Sequence, residues 1–525
     1  MKRRTFVKNT AAVTAASILA PNVLTSKSLF EFKPVDKIMG LDDDNIVIIV
    51  ELFGGNDGLN SVIPAYDDTY YNLRPNLGIP SNIAKRFETT DIYFHPLLVQ
   101  GIHNDGFMRL MADGRLAIIQ GIGYENPNLS HFRSEDIILS GINSSDPKVK
   151  LLEGWLGRYI AMKLTNFPFE IPEHPIAIEI GGTLSMLLKS NKGDMGIAFT
   201  DPQKFYELGT GLTPEEELST GNTVFDSEFN FVNIIARQSE KYSSEVLKAY
   251  NDGKSKLKVK YSNGLAKSFE MISSLIAGGL KTKFFFVKLS NFDSHAQQQN
   301  ADYYTGQHPT LLWNVASGIS EFLDDAVQQG WADRVVGMTI SEFGRRPSEN
   351  GSRGTDHGAA SVQFVFGNYA KGGYFGNKPN LNDLDEAGNQ KMQYDYRRVY
   401  TDFLQTWLGA SSEEVKNVFG IEFLPLGVLK KRQLSVENPI VVNDNVFVYP
   451  NPSFGEITVN FELKSLSDVD ISVFNLLGRI EKKISKGWLD AGYHKIKFRM
   501  EKSGSYFISI STPEQRITKE FTVLR

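Results

Sequence analysis

Cysteine is absent from the 525 residues of this chain. That absence excludes disulfide scaffolds, thiolate metal sites and cysteine nucleophiles, so any bound metal must use His, Asp, Glu or Asn. Histidine is scarce as well, with eight residues. Long apolar runs are also lacking, because the run at residues 11–20 is too short to cross a hydrocarbon core of about 30 Å. We therefore expect no transmembrane segment in the mature chain.

The composition is that of a globular protein. Hydrophobic residues make up 41% of the chain and charged residues 22%, which excludes a disordered, collagenous or coiled-coil chain. The first 27 residues carry five basic residues and no acid, and removing these charges from the net charge of −5 leaves −10. Because the rest of the chain carries this negative charge, we do not expect the protein to bind nucleic acids in general.

The N-terminus has the pattern of an export signal, predicted at residues 1–27. A basic start is followed by the short apolar run and then by small and polar residues. Arg3 and Arg4, within the sequence RRTFVK, resemble a twin-arginine signal, which implies a twin-arginine translocase as partner. A cytoplasmic or tail-anchored protein is the alternative.

Residues 42–430 alternate strand-like apolar runs with helical patterns. This alternation predicts an α/β domain with a mostly parallel sheet and helices on both faces, in which ligands bind at the carboxyl ends of strands. The predicted helices include 132–139, 229–251, 264–280 and 311–329. The predicted strands are 45–52, 116–121, 176–180, 284–289, 335–340 and 362–366.

The last residues change character. After a linker at 431–444, residues 445–525 show strand-like alternation punctuated by turn residues, which predicts a small antiparallel β-sandwich. The sequences YPNPSFG (449–455), FNLLGR (474–479) and GSYF (504–507) resemble the type A sorting domain of the type IX secretion system. The resemblance implies that system as a partner, passage through the periplasm, and a secreted or cell-surface location. A generic carbohydrate-binding or adhesion module is the alternative.

Acids and imidazoles follow the predicted strands. Because the carboxyl ends of parallel strands meet at one edge of a sheet, these side chains are expected to share one metal site for zinc, manganese or calcium. Four of these residues also have a structural alternative: a turn for Asp57, a surface loop for His295, an arginine partner for Glu342 and a strand cap for His357. The predicted metal ligands are Asp57, Asp293, His295, Glu342 and His357.

A serine at the start of a predicted helix is the candidate nucleophile. Ser130 precedes residues 132–139, and a helix N-terminus suits a phosphate or sulfate oxygen and an attacking hydroxyl. His131 and Arg133 are the associated candidates for a base, ligand or oxyanion partner. The alternative role of Ser130 is a helix N-cap.

Several motifs within residues 46–409 resemble the bacterial family called domain of unknown function 1501, a sulfatase-like branch of the alkaline phosphatase superfamily. The motifs are FGGNDGLN (53–60), YNLRP (71–75), SHFRSED (130–136), GWLGRY (154–159), DSH (293–295), SEFGR (341–345) and GTDHG (354–358). The resemblance implies an alkaline phosphatase-like fold, one metal bound by Asp57, and another bound by Asp293, His295 and His357. Phe343 replaces a usual histidine after Glu342, which leaves one metal site a nitrogen short.

The predicted metal site and the resemblance together imply an exported, metal-dependent hydrolase of sulfate or phosphate esters, acting on a small molecule or glycan. The alternative is a non-catalytic secreted or cell-surface binding protein on the same scaffold. The departure at Phe343 favours that alternative.

Overall fold

The computed structural model describes residues 33–35, 41, 43–100, 106–167, 170–211, 224–432, 446–463, 466–475, 480–512 and 516–524. The chain divides into two units, residues 1–432 and 433–525. The predicted export signal at 1–27, Asp42 and most of the predicted linker at 431–444 lie outside the described residues.

The N-terminal unit alternates strands and helices. Its strands are β1 (Lys33–Val35), β2 (Ile46–Leu52), β3 (Lys85–Arg86), β4 (Tyr93–Phe94), β5 (Leu116–Gly123), β6 (Glu170–Pro172), β7 (Ala177–Ile180), β8 (Lys189–Ser190), β9 (Gly193–Asp194), β10 (Ile197–Phe199), β11 (Phe284–Leu289), β12 (Val335–Ile340), β13 (Gly344–Glu349), β14 (Thr355–Gly358), β15 (Ser361–Gly367), β16 (Gly373–Phe375) and β17 (Tyr394–Asp395).

The helices of the same unit are α1 (Gly58–Ser61), α2 (Asp68–Leu73), α3 (Pro96–Val99), α4 (Gly106–Ala112), α5 (His131–Ser140), α6 (Trp155–Lys163), α7 (Pro202–Thr210), α8 (Val224–Lys254), α9 (Leu265–Ala277), α10 (Gln307–Gln329), α11 (Tyr396–Thr401) and α12 (Ser412–Phe419). A π-helical turn, Asp402–Trp407, follows α11. In the part of the chain that the structure describes, no helix combines the length and the apolarity needed to cross a membrane.

The central sheet has the strand order β10-β7-β11-β2-β12-β15-β5-β16, with β17 also paired to β5. The pairs from β10 through β12 are parallel, whereas β15 runs antiparallel to both of its neighbours. This arrangement confirms the predicted mixed α/β fold with a mostly parallel sheet.

Both faces of the sheet are covered, which explains why its inner strands read as continuous apolar runs. All seven residues of β2 are buried. Val47 and Ile49 pack into the core on one face, together with α5, α6 and α12. Ile48 and Val50 pack into the core on the other face, together with α9 and α10. The helices therefore lie on both faces, as predicted.

The loops that carry most of the predicted site residues lie at one edge of the sheet. Strands β2, β5, β11 and β12 end there, and the antiparallel β15 begins there. The loop after β2 approaches the loop after β11 closely, because a Cβ atom on Gly54 would lie 2.1 Å from the backbone nitrogen of Asp293. Gly54 also has a φ of +121°, so glycine is needed for two reasons.

The C-terminal unit is an antiparallel β-sandwich, as predicted. One sheet has the order β18-β19-β22 and the other β21-β20-β23-β24, and apolar side chains from both sheets form one core. Strands β21 and β24 go beyond the sequence-based prediction. The strands are β18 (Phe447–Tyr449), β19 (Glu456–Leu463), β20 (Ser467–Asn475), β21 (Ile480–Leu489), β22 (Gly492–Arg499), β23 (Gly504–Ser511) and β24 (Arg516–Val523).

Candidate metal centre

Three imidazoles and one carboxylate meet at the edge of the central sheet. His131 begins α5, Asp293 and His295 lie in the loop after β11, and His357 lies in β14. His131, Asp293 and His357 place potential ligand atoms within 4.8 Å of one another. His295 joins them, because its Nε2 atom lies 2.9 Å from His357 Nε2 and 3.1 Å from Asp293 Oδ1. The predicted site residues His131, Asp293, His295 and His357 thus lie in one cluster.

In each of the three imidazoles, the Nε2 atom faces the cluster and the Nδ1 atom faces an oxygen acceptor outside it. Carboxylates and carbonyls only accept hydrogen bonds, so each Nδ1 atom carries the proton of this contact, which leaves Nε2 as the nitrogen that can offer a lone pair to a metal. This is the orientation that metal-binding histidines have in proteins. The pairs are His131 with Glu342 Oε1 at 2.7 Å, His295 with Asp356 Oδ1 at 3.3 Å, and His357 with the Leu129 carbonyl oxygen at 2.7 Å.

Two pairs of donor atoms in the cluster have a spacing close to that of neighbouring ligands of a divalent cation. With zinc bonds of about 2.0–2.1 Å, neighbouring ligand atoms of a tetrahedron lie roughly 3.3 Å apart. Asp293 Oδ2 is 3.5 Å from His131 Nε2, and Asp293 Oδ1 is 3.5 Å from His357 Nε2. In addition, His131 Nε2 is buried and has no hydrogen-bond partner, which is costly for a polar atom without a ligand.

The charges also favour a dication. The Asp293, Glu342 and Asp356 carboxylates touch the imidazoles, and the Arg345 guanidinium binds Asp293 Oδ1 at 2.7 Å. Among these groups in direct contact, three negative charges face one positive charge, which leaves two to be balanced. A cluster of this kind is stabilised when a divalent cation binds.

Arg345 and Phe343 form the inner wall of the site. The Arg345 side chain is fully buried and also donates to the backbone carbonyls of Gly55 and Thr355. The Phe343 ring packs 4.3 Å from the His357 ring and 4.9 Å from the His131 ring, measured between centroids. An apolar ring therefore lies where the resemblance leads one to expect a histidine.

The surroundings shift the acid–base properties of the site. The hydrogen bond that His131 donates to the Glu342 carboxylate raises the pKa of His131, whereas burial lowers the pKa of His357. Burial alone would raise the pKa of the Asp293 carboxyl, but the hydrogen bond and charge of Arg345 hold that pKa below its ordinary value. Asp293 is therefore a carboxylate at neutral pH.

The remaining sequence-predicted residues lie around this cluster. Glu342 is buried behind His131, and its Oε1 atom also accepts from the Gly54 N–H at 2.8 Å. Asp57 is fully buried in an ion pair with Arg74, at 2.7 Å. Ser130 is the exposed N-cap residue of α5, and its side chain makes no capping hydrogen bond. Arg133 donates to the carbonyls of residues 144 and 146, in the loop after α5.

Several residues of the site were not expected from the sequence. The Asp356 carboxylate supports His295. Arg74 and Gln298 both hold Asp57, and the Leu129 carbonyl supports His357. The sequence places Asp356 next to His357, and a metal-binding histidine usually has a carboxylate or carbonyl partner, but the histidine that contacts the Asp356 carboxylate is His295.

Two family models match parts of the chain. Residues 240–419 match a protein family of unknown function, DUF1501. Residues 447–524 match a secretion system C-terminal sorting domain. Because that sorting domain belongs to type IX secretion, the protein is secreted or lies at the cell surface.

Among solved structures, the chain is similar to a protein of the alkaline phosphatase superfamily from Vibrio parahaemolyticus. The identity is 10% and the TM-score 0.30, covering 99% of this chain and 88% of that one. It is also similar to the PsFucS1 sulfatase from Pseudoalteromonas sp., with 10% identity and a TM-score of 0.31, covering 95% of this chain and 88% of that one. No curated protein matches the sequence.

Proposed function

We propose that the protein is an exported metalloenzyme that holds one divalent cation and hydrolyses sulfate or phosphate esters. The observation that carries the proposal is the convergence of His131, Asp293 and His357, with each imidazole Nδ1 tied to an acceptor. The ester class rests on the sulfatase-like motifs of the sequence.

The donor set narrows the choice of metal. Calcium prefers six to eight oxygen ligands, whereas imidazole nitrogens suit zinc and other transition metals. The cluster offers the Nε2 atoms of His131 and His357 with the carboxylate of Asp293. Zinc is therefore the first candidate, manganese the second, and calcium is disfavoured.

His295 supplies the acid–base chemistry in this proposal. It is the most exposed of the three imidazoles, with 45% of its side chain accessible against 21% for His131 and 19% for His357. Its Nδ1–H points to the Asp356 carboxylate, so its Nε2 atom can accept a proton from an attacking water. A divalent cation in the site would activate that water and stabilise negative charge on an ester oxygen.

The attacking group is water rather than Ser130 in this account. Arg133 is engaged with the carbonyls of residues 144 and 146, so the oxyanion role that the sequence suggested for it is not part of the proposal. Ser130→Ala tests this choice: activity should persist, and its loss would identify the serine hydroxyl as the nucleophile.

A second candidate is a non-catalytic surface protein stabilised by its metal. The position of His295 favours this candidate. Its Nε2 atom lies 3.1 Å from Asp293 Oδ1, which is close enough for His295 to be a fourth metal ligand. Structural zinc sites have four protein ligands, whereas catalytic sites keep one position for water.

His295→Ala separates the two candidates. If His295 is the base, the variant should keep its metal and lose about 10²–10⁴-fold in the hydrolysis rate of aryl sulfates or aryl phosphates. If His295 is a fourth ligand, the variant should lose metal affinity instead, and the wild type should hydrolyse neither ester class. His494→Ala, in the C-terminal unit, is the matched histidine control.

We further propose that export uses two signals, Arg3-Arg4 for a twin-arginine translocase and residues 447–524 for the type IX machinery. Changing both arginines to lysine keeps the charge and should hold the precursor in the cytoplasm. Cell fractionation and immunoblotting measure the result. Normal export of that variant would contradict the twin-arginine assignment.

A further inference from the structure

We infer that Asp57 is a positioning residue that sets the spacing of the metal-binding loops without touching the metal. The inference rests on the proposed metal centre and assigns Asp57 a different role from the ligand role that the sequence suggested. It follows from a buried chain of hydrogen bonds that begins at the Asp57 carboxylate and ends beside three of the candidate ligands.

The Asp57 carboxylate is already matched by a buried cation. Arg74 Nη1 lies 2.7 Å from Oδ2 and Arg74 Nη2 lies 3.0 Å from Oδ1, a two-pronged pair of high geometric specificity. Neither side chain has any exposed area. Its negative charge is therefore balanced within the protein, unlike the charges around Asp293.

The Asp57 carboxylate also orients Gln298. The Gln298 Nε2 atom donates to Asp57 Oδ2 at 2.6 Å. Turning the amide over would place its oxygen against the carboxylate, so this contact fixes which end of the amide faces the other way. The outward end is Oε1, which only accepts hydrogen bonds.

The Gln298 oxygen joins the two loops that carry candidate ligands. It accepts from the Ser294 hydroxyl at 3.0 Å and from the Thr355 hydroxyl at 2.7 Å. Ser294 lies between Asp293 and His295, and Thr355 lies two residues before His357. The backbone N–H of Thr355 also donates to the Ser294 carbonyl, at 3.0 Å. A loss of the Gln298 contact would therefore loosen the two loops relative to each other.

We call the hydrogen-bonded set of Asp57, Arg74, Gln298, Ser294 and Thr355 the frame. Arg74 connects this frame to a third segment of the chain. Its Nη2 atom donates to the Arg346 carbonyl at 2.9 Å and its Nε atom to the Pro347 carbonyl at 2.7 Å. Both carbonyls lie in β13, which pairs with β14 so that Arg345 is opposite His357. The Asp57–Arg74 pair thus holds β13 as well as the two loops.

Two sets of variants test the frame. Asp57→Asn removes the charge that orients Gln298. The double variant Ser294→Ala with Thr355→Val removes both hydroxyls at the far end and leaves the Asp57–Arg74 pair intact. Ser317→Ala is the control, because it deletes a buried hydroxyl that donates to the Trp313 carbonyl in α10. Urea unfolding of the metal-free proteins identifies any variant that does not fold.

Zinc affinity and the visible spectrum of the cobalt(II)-loaded protein are the readouts. Both test sets should bind zinc about 10–100-fold more weakly, as for other residues that support metal ligands. They should still take up one cobalt ion at saturation, with an altered spectrum, and the control should match the wild type. Wild-type affinity and an unchanged spectrum in the double variant would overturn the frame.

A second result would also overturn the inference. If Asp57→Asn folds and takes up no metal at saturating cobalt while the double variant is unaffected, Asp57 is itself a ligand. A wild type that binds no zinc or cobalt is a different failure, because it removes the proposed metal centre and the frame together.

Discussion

Glu342 offers a sharp test of how the site is built, because it supports His131 without facing the metal position. It is buried, and its Oε1 atom accepts from the Gly54 N–H at 2.8 Å and from His131 Nδ1 at 2.7 Å. In Glu342→Gln the amide oxygen can still accept both bonds, so the fold should persist. The negative charge that makes His131 a stronger ligand is lost.

The expected loss in zinc affinity follows from the type of contact. Removing a charged partner of a metal-binding histidine weakens metal binding about 10–100-fold, which corresponds to roughly 1.4–2.7 kcal/mol. Competition with a chromophoric chelator at neutral pH measures the affinity. Glu386→Gln is the control, since Glu386 is an exposed acid that makes no hydrogen bond or ion pair with the described residues of the cluster.

The same variant has an independent spectroscopic readout. The Glu342 hydrogen bond raises the pKa of His131, so the pKa of His131 in metal-free Glu342→Gln should fall towards its ordinary value. An NMR titration measures that pKa. Unchanged zinc affinity together with an unchanged His131 pKa would refute the supporting role of Glu342.

The other predictions concern stability and domain independence. Arg74→Met strands the buried Asp57 charge and should lower the free energy of unfolding in urea by about 3–5 kcal/mol, whereas Arg86→Met, in an exposed pair, should cost less than about 1 kcal/mol; equal losses would contradict this. Burial lowers the pKa of His95 to about 3 and of His308 to about 4. Because the unfolded chain binds these protons first, stability should fall from about pH 6.5 to pH 4, at up to ~1.4 kcal/mol per pH unit per histidine. Replacing both histidines by glutamine should flatten that slope in the metal-free protein, and an unchanged slope would refute the assignment. A chain ending at residue 432 should bind zinc like the full chain but remain in the periplasm; secretion of that chain would contradict the sorting role.

Much of the fold could be predicted because its signals are local. The inner strands are buried on both faces, so β2 and β11 appear as uninterrupted apolar runs. The reversed direction of β15 could not be predicted, since strand direction depends on a connection through the β13–β14 hairpin, whose residues are mostly polar. Val327 in α10 is apolar but exposed, whereas Phe322 is buried, because five residues after Phe322 is about 140° around the helix axis.

The site was partly predictable for a topological reason. Asp293 follows a strand, and the ends of parallel strands meet at one edge, so its approach to His357 could be expected. The ion pair of Asp57 with Arg74 could not, because no local pattern links a residue after β2 to the end of a helix 17 positions later. The support that the Leu129 carbonyl gives His357 involves a backbone atom, which no residue type signals.

Elemental analysis of the purified protein, equilibrated with zinc and then freed of loosely bound ions, tests the central claim most directly. We expect one zinc per chain in the wild type and none in Asp293→Ala or His357→Ala, with Glu386→Gln retaining the full equivalent. A folded wild type that holds no zinc or manganese, or variants that keep their metal, would contradict the account.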